Sequence, residues 1–211
     1  MEPTIPIDVG VLSQRQRIVD AMIACCAEKS YAATTIADIV SQASISRTTF
    51  YKRFAGKREC FDAALDSCIE ELRTAAVGAR SADDSPPEAV RKAAAATLEL
   101  MAAKPDLAQL VMGEAVAVEP AVIERYRKLL LPALEGLWEA GGEPSGSHTD
   151  PQLAFGRAQV LIYNEIIAGR AADLPRLLPE IAYTAILPFA GHEKALAQAR
   201  LAGGDESSRS R

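Results

Sequence analysis

The sequence has few of the residues that hold metals or form disulfides. Its 211 residues include four cysteines and two histidines. Cys25 and Cys26 are adjacent, Cys60 and Cys68 lie eight positions apart, and no C-x-x-C pair occurs. These spacings do not fit a zinc framework, so we expect no metal site and no cofactor. Buried thiols in helices are the favoured interpretation, and a redox switch is the alternative.

Catalytic patterns are also missing. We find no glycine-rich phosphate loop, no nucleophile with a matching base, and no pair of carboxylates at a meaningful spacing. His148 and His192 fall in or beside predicted loops and are expected at the surface. The sequence therefore gives no support to an enzyme.

No apolar run approaches the length of a membrane span, and the N-terminus carries acids and prolines in place of a charged-then-apolar leader. We therefore expect no membrane association and a cytoplasmic location.

Strand-like alternation is absent, whereas alanine is abundant and apolar residues recur at helical spacing. The fold class predicted is all-α, with a small N-terminal helix-turn-helix domain and a larger helical domain. The predicted order is a flexible arm (1–12), the small domain (13–60), the larger domain (61–201) and a disordered tail (202–211). Helices are predicted at about 14–29, 35–42, 46–54, 57–76, 87–103, 106–118, 120–140, 151–169, 175–189 and after Gly191. Pro132 is expected to kink or split its helix.

Charge is distributed unevenly along the chain. Between residues 14 and 60, eight Lys/Arg face four Asp/Glu, a local charge of +4, although the whole chain carries −5. A basic module joined to an acidic body can bind a polyanion through one face.

The stretch SISRTTFYKRF, residues 44–54, is the clearest candidate for that face. Phe50 and Phe54 are four residues apart and share one side of a helix, where they are expected to enter the core. Ser46 is a good N-cap, and Thr35 with Asp38 predicts a capping box one helix earlier. Taken alone, Arg47, Lys52 and Arg53 fit a solvated face as well as a binding face.

Residues 14–68 resemble the DNA-binding domain of TetR-type transcriptional regulators. The resemblance rests on the Y-x-A-T-T break, the I-A-D-I second helix, the T-x-Y-x-x-F form of the third helix and the lysine that opens the fourth. Past Asp83 it is weaker. The family's turn usually has glycine where this chain has Ser44, and Thr48 replaces a glycine often found early in the recognition helix. A left-handed conformation costs a non-glycine residue about 1 kcal/mol, which serine tolerates.

The resemblance implies a role for each polar residue of this domain. Thr35, Tyr51 and Lys57 would hold DNA phosphates, Arg47, Thr48, Thr49 and Lys52 would face base edges, and Arg53 would contact the backbone. With the cap, the implied DNA-binding residues are Thr35, Ser46, Arg47, Thr48, Thr49, Tyr51, Lys52, Arg53 and Lys57.

For the body, the resemblance implies a small-molecule pocket and a dimer bundle. Candidate pocket residues, each open to the alternative of plain core, are Leu98, Met101, Leu110, Met112, Glu114, Tyr126, Leu130, Trp138 and Asn164. Glu114 and Asn164 would orient a ligand or be satisfied by the protein itself. Candidate interface residues, on the apolar sides of helices 151–169 and 175–189, are Leu161, Ile162, Leu178, Ile181, Ala182 and Ala185.

The function predicted is a ligand-responsive transcriptional regulator, a repressor by analogy. As a homodimer it would bind double-stranded DNA at a palindromic operator and be released by a small organic effector. The alternative is a helical ligand-binding protein or adaptor that does not bind DNA.

Overall fold

A computed structural model describes the backbone of residues 9–118 and 151–209, with side chains described over 14–118 and 156–204. These ranges contain helices and turns and no strand, as the all-α prediction requires. The helices are α1 (Val9–Ala33), α2 (Ile36–Gln42), α3 (Arg47–Tyr51), α4 (Lys57–Gly78), α5 (Pro86–Ala103), α6 (Pro105–Ala108), α7 (Ala115–Val118), α8 (Pro151–Ile167) and α9 (Leu178–Arg209). A π-helical segment, Gln109–Glu114, joins α6 to α7, and a 3-10 segment, Ala171–Leu177, precedes α9.

The chain divides into two compact units, Met1–Cys68 and Ile69–Arg211. The division falls inside α4, whereas the sequence analysis placed the domain boundary at residue 60. Each unit is described by itself below.

The first unit has a small, tightly filled core. Helical spacing in α1 directs Ile18, Met22 and Cys26 inward, and they are buried. Phe50 of α3 and Phe54, which follows the end of α3, are buried in the same unit. The prediction that the two phenylalanines belong to the core is confirmed. All four cysteines are buried and free, which agrees with the interpretation as structural thiols.

Helix α1 is interrupted near its end. Ser30 has φ 72° and ψ 159°, a conformation almost restricted to glycine, inside the segment assigned to α1. The buried hydroxyl of Thr34 donates to the carbonyl of Ser30 at 2.7 Å. The predicted end of the helical pattern at Lys29 is therefore confirmed, and the break is held by a side-chain hydrogen bond.

In the second unit, α9 is a helical hairpin. Gly191 has φ 78° and ψ 172°, which breaks the helix, and a Cβ placed on Gly203 would lie 3.9 Å from Cγ of Pro179. Residues 179 and 203 are equally far from Gly191, so the segment after Gly191 runs back along the segment before it. Ala202, only 2% exposed, is packed rather than free. Helical structure thus extends through most of the predicted tail.

Helices α5 and α8 both pack against α9, and α8 also contacts the π-helical segment. The helix predicted from residue 175 begins three residues later, because Pro175 lies within the 3-10 segment. At the N-terminus, α1 begins at Val9, inside the predicted arm. The predicted helix 120–140, with Pro132, and the loop that carries His148 lie outside the described residues.

Candidate nucleic-acid interface

Helix α3 presents a polar, acid-free face. Its N-cap is Ser46, whose Oγ accepts the backbone N–H of Thr49 at 3.0 Å, and Phe50 anchors the opposite side in the core. Residues 44–54 contain three cations and no acid. The side chains left exposed on this face are Arg47, Thr48, Tyr51 and Lys52. Such a surface can meet both phosphates and base edges.

The turn before α3 has the strained conformation that the sequence suggested. Ser44 has φ 52°, and the N–H of Ile45 donates to the carbonyl of Val40 at 3.0 Å. This left-handed residue closes α2 tightly and directs the chain into α3. The glycine common in the family is therefore replaced without loss of the turn.

Thr49 and Arg53 are less available than the sequence indicated. Thr49 is half-buried, and its hydroxyl lies 2.9 Å from Oγ of Ser46. Arg53 is half-buried too; its Nη2 donates to Oε1 of Gln14 at 3.4 Å, and its Nε is buried without a hydrogen-bond partner in the described structure. Both side chains support the recognition helix, and their DNA contacts remain predictions.

The ammonium group of Lys57 forms hydrogen bonds within the first unit. Its ammonium donates to the carbonyls of Tyr31 at 2.9 Å and Thr34 at 2.8 Å, and lies 4.3 Å from the centre of the Tyr31 ring. The last carbonyls of a helix attract cations, and an aromatic face adds to that attraction. Two of its three N–H donors are therefore used to tie the start of α4 to the end of α1.

The hydroxyl group of Thr35 also forms hydrogen bonds within this unit. Its Oγ1 donates to Oδ2 of Asp38 at 2.8 Å and accepts the backbone N–H of Asp38 at 3.2 Å, which completes the predicted capping box. The hydroxyl proton expected for a phosphate thus points at a carboxylate. Lys29 donates to Oδ1 of Asp38 at 3.0 Å. The hydrogen bond from Lys29, followed by those from Thr35, lowers the pKa of Asp38 to about 2.

Helix α4 begins in a similar way. Oε2 of Glu59, the third residue of α4, accepts the N–H of Ala55 at 2.6 Å. Arg58 in the same turn pairs with Asp62 at 2.9 Å. The sequence analysis predicted the capping box of α2 but missed the cap that Glu59 provides for α4. The signal was the acidic third residue of α4, which corresponds to Asp38 in α2.

The comparisons with known proteins agree with this geometry. Residues 18–64 match the family described as bacterial regulatory proteins, tetR family. The match covers the helix-turn-helix unit of the chain and agrees with the resemblance of that unit to TetR-type regulators. None of the curated proteins matches this sequence.

Solved structures of TetR type share the fold. The fatty acid degradation regulator FadR from Bacillus halodurans is 18% identical, with 88% of this chain and 97% of that chain covered and a TM-score of 0.70. A gamma-butyrolactone receptor (ArpA-like protein) is 20% identical, with 95% and 100% covered and a TM-score of 0.66. FadR from Bacillus subtilis, in complex with stearoyl-CoA, is 16% identical, with 83% and 98% covered and a TM-score of 0.67. At these identities the likeness establishes the TetR fold.

The predicted pocket residues, which belong to the second unit, differ in how far their side chains are buried. Leu98, Met101 and Leu110 are buried, and Met112 and Glu114 are half-buried. Asn164 is exposed on α8, on the surface of its unit. Tyr126, Leu130 and Trp138 lie outside the described residues.

Most of the predicted interface residues are buried in the single chain. Ile162, Leu178, Ile181 and Ala182 are buried, and Leu161 and Ala185 are half-buried. The first four are buried in the single chain, and their part in a dimer contact stays a prediction. The exposed large apolar side chains of α8 are instead Val160, Tyr163 and Ile167.

Two further observations concern membranes and metals. Across the part of the chain that the structure describes, no helix is long and apolar enough to cross a membrane. Within the same part, no three His, Cys, Asp or Glu side chains are grouped so that they could hold a metal ion.

Proposed function

We propose that this protein is a transcriptional repressor of the TetR type that binds a palindromic operator as a homodimer and is released by a small organic effector. The exposed, acid-free face of α3 carries this proposal. A rigid helix anchored by Phe50 and capped by Ser46 offers Arg47, Thr48 and Lys52 to the major groove.

A symmetric dimer accounts for an operator of two half-sites. Val160, Tyr163 and Ile167 are spaced at i, i+3 and i+7 on α8, with exposed fractions of 58%, 42% and 57%. This spacing makes one apolar stripe, and Asn164 lies on the same side. A second copy of α8, related by a twofold axis, would cover the stripe. We therefore assign the dimer contact to this stripe.

The effector is proposed to be a largely apolar organic molecule. The structurally similar proteins include a fatty acid degradation regulator, a gamma-butyrolactone receptor and a regulator in complex with stearoyl-CoA. In this chain, Met112 and Glu114 are half-buried in and beside the π-helical segment, a type of segment that is common at functional sites. We propose that they contact the effector, together with Tyr126, Leu130 and Trp138.

Selection of bound duplexes from a random pool tests the DNA-binding part. We expect an inverted repeat with half-site centres about 34 Å or a multiple apart, because the two copies of α3 are related by symmetry. Binding of random duplex should fall steeply with salt. A pool that yields no enriched sequence, together with binding that is absent at low salt, would favour a ligand-binding protein without DNA contacts.

A further inference from the structure

Gly113 lies inside the π-helical segment that joins α6 to α7. It is the fifth of the six residues of Gln109–Glu114, and the N–H of Ala115 donates to the carbonyl of Leu110, five residues earlier. A glycine in the interior of a helix costs about 0.5–1 kcal/mol relative to alanine. A π-helical turn is itself rare and is frequently found at functional sites. The segment therefore combines a residue and a backbone form that helix formation alone does not favour.

The side-chain amide of Gln109 occupies the space that a side chain at position 113 would need. A Cβ placed on Gly113 would lie 3.0 Å from Nε2 of Gln109, 3.4 Å from its Cδ and 3.7 Å from its Oε1. The whole amide group thus lies against the backbone of Gly113. Alanine at this position would push the amide away, because nonbonded heavy atoms prefer separations of about 3.5–4.0 Å.

The amide of Gln109 has hydrogen-bonding capacity that the described residues do not use. The side chain is half-buried, and no hydrogen bond joins its amide to another group of the described structure. A carboxamide carries two N–H donors and a carbonyl acceptor, and half-buried polar groups are normally paired. Leu110 and Val111, which follow it, are buried, and Met112 is half-buried. A single polar group beside apolar side chains is the arrangement by which pockets orient apolar ligands.

The described surroundings of this segment supply no unpaired positive charge. Residues 105–118 contain two acids, Asp106 and Glu114, and no Lys, Arg or His. Helix α8 packs against the segment, and the one cation among its described side chains, Arg157, pairs with Glu180. An anionic head group would therefore lie close to the half-buried Glu114 without a counter-charge from these residues, which is unfavourable.

We propose that the amide of Gln109, held against Gly113, binds the uncharged polar head group of the effector. A carbonyl of the effector would accept a hydrogen bond from Nε2, and a hydroxyl would donate to Oε1. The assignment rests on the proposed function in taking the π-helical segment as part of the effector site. It narrows the effector to a neutral amphipathic molecule, such as an ester, an amide or an alcohol, and excludes a free fatty acid.

Probes with one apolar chain and different head groups test the proposal. Octanamide, 1-octanol and octanoate are titrated into the full chain, and the side-chain NH2 signals of Gln109 are followed by NMR. We expect octanamide and 1-octanol to shift these signals and to bind about 10-fold more tightly than octanoate, because only the neutral head groups gain a hydrogen bond without burying a charge.

Two variants alter the amide in different ways. Gln109→Leu removes its hydrogen bonds, and Gly113→Ala displaces it without removing it. In both, the affinity for octanamide should fall about 5- to 10-fold, and the preference for octanamide over octanoate should disappear. Gly156→Ala is the matched control for the glycine change, because a Cβ placed on Gly156 of α8 meets nothing within 4 Å. This control should keep the preference of wild type.

Several results would overturn the proposal. These are octanoate binding as tightly as octanamide, both variants keeping the wild-type preference, or no binding of any probe. If octanamide binds wild type but leaves its affinity for the selected operator unchanged, the effector response in the proposed function fails, and the role of Gln109 in binding stands. If Gly113→Ala does not fold, Gln109→Leu decides alone.

Discussion

The ammonium of Lys57 lies 4.3 Å from the centre of the Tyr31 ring and donates to the carbonyl of the same residue at 2.9 Å. This one side chain joins residues 26 positions apart in the sequence. It holds the start of α4 against the end of α1, and α3 lies between these two helices in the sequence. Lys57 is thus part of the internal structure of the first unit, and its contact with DNA stays a prediction.

Replacement of Lys57 by methionine should therefore destabilise the protein. Methionine keeps an apolar side chain against Tyr31 but loses both hydrogen bonds to carbonyls, at a cost of about 2 kcal/mol. Thermal unfolding followed by circular dichroism measures the effect. The matched control is Lys52→Met, which removes the same charge from the exposed face of α3 and should leave the melting temperature nearly unchanged. Equal melting temperatures for the two variants would show that the Lys57 contacts contribute nothing to stability.

Ser30→Gly should stabilise the protein. Ser30 is held at φ 72° and ψ 159°, where a non-glycine residue is strained by about 1–3 kcal/mol. Glycine relieves the strain but loses more entropy on folding, so we expect a net gain of about 1 kcal/mol in the free energy of unfolding. Ser41→Gly, at an exposed helical position of α2, should instead destabilise by about 0.5–1 kcal/mol. Urea denaturation of the three proteins distinguishes the signs.

Asp38 should make stability depend on acid pH. Its folded-state pKa is about 2, lowered from an ordinary value of 3.8, first by the hydrogen bond from Lys29. The stabilising effect of the carboxylate is therefore complete above about pH 4 and is lost as the pH falls towards 2. The difference in unfolding free energy between wild type and Asp38→Asn should narrow across that range. A difference that stays constant from pH 5 to pH 2 would contradict the assignment.

Arg47 and Tyr51 should differ in their effect on DNA sequence preference. Arg47→Ala should cost about 1–3 kcal/mol on the selected operator and relax preference at one base pair in each half-site. Tyr51→Phe removes the hydroxyl of a side chain that is 56% exposed, so affinity should fall about equally for all sequences. Competition with single-base operator variants measures both effects. If Arg47→Ala weakens binding to every operator variant equally, Arg47 contacts the DNA backbone, and Thr48, Thr49 and Lys52 are the residues that contact the bases.

The apolar stripe of α8 should control the oligomeric state. Val160→Glu and Ile167→Glu place charges on side chains that are 58% and 57% exposed in the single chain, so the fold should survive while the dimer dissociates. Leu201→Glu, at an equally exposed apolar position on α9, is the control and should remain dimeric. Sedimentation velocity reports the molecular mass. Dimers in all three variants would exclude this stripe as the interface.

Local sequence patterns were sufficient to predict most of the secondary structure of the first unit. The capping signals of Thr35 and Ser46, the i, i+4 pair of Phe50 and Phe54, and the break after Lys29 each depend on neighbours within a few residues. The left-handed conformation of Ser44 was expected only from the resemblance, because TetR-type turns usually have glycine there. Capping and helical periodicity operate over one or two turns, so a sequence displays them directly.

The tertiary structure decided which of these polar groups remain free and which apolar groups face the core. Thr35 and Lys57 carry the chemistry that binds phosphate. The hydroxyl of Thr35 nevertheless donates to Asp38, and two of the three N–H donors of Lys57 are taken by the carbonyls of Tyr31 and Thr34. On α8, apolar residues occur on most sides, so periodicity alone did not separate the buried Ile162 from the exposed Val160. The hairpin at Gly191, which buries Ala202, likewise depends on packing between segments far apart in the chain. A hydrogen-bond donor or an apolar face is used or left free according to what the folded chain places beside it, and that arrangement exists only in three dimensions.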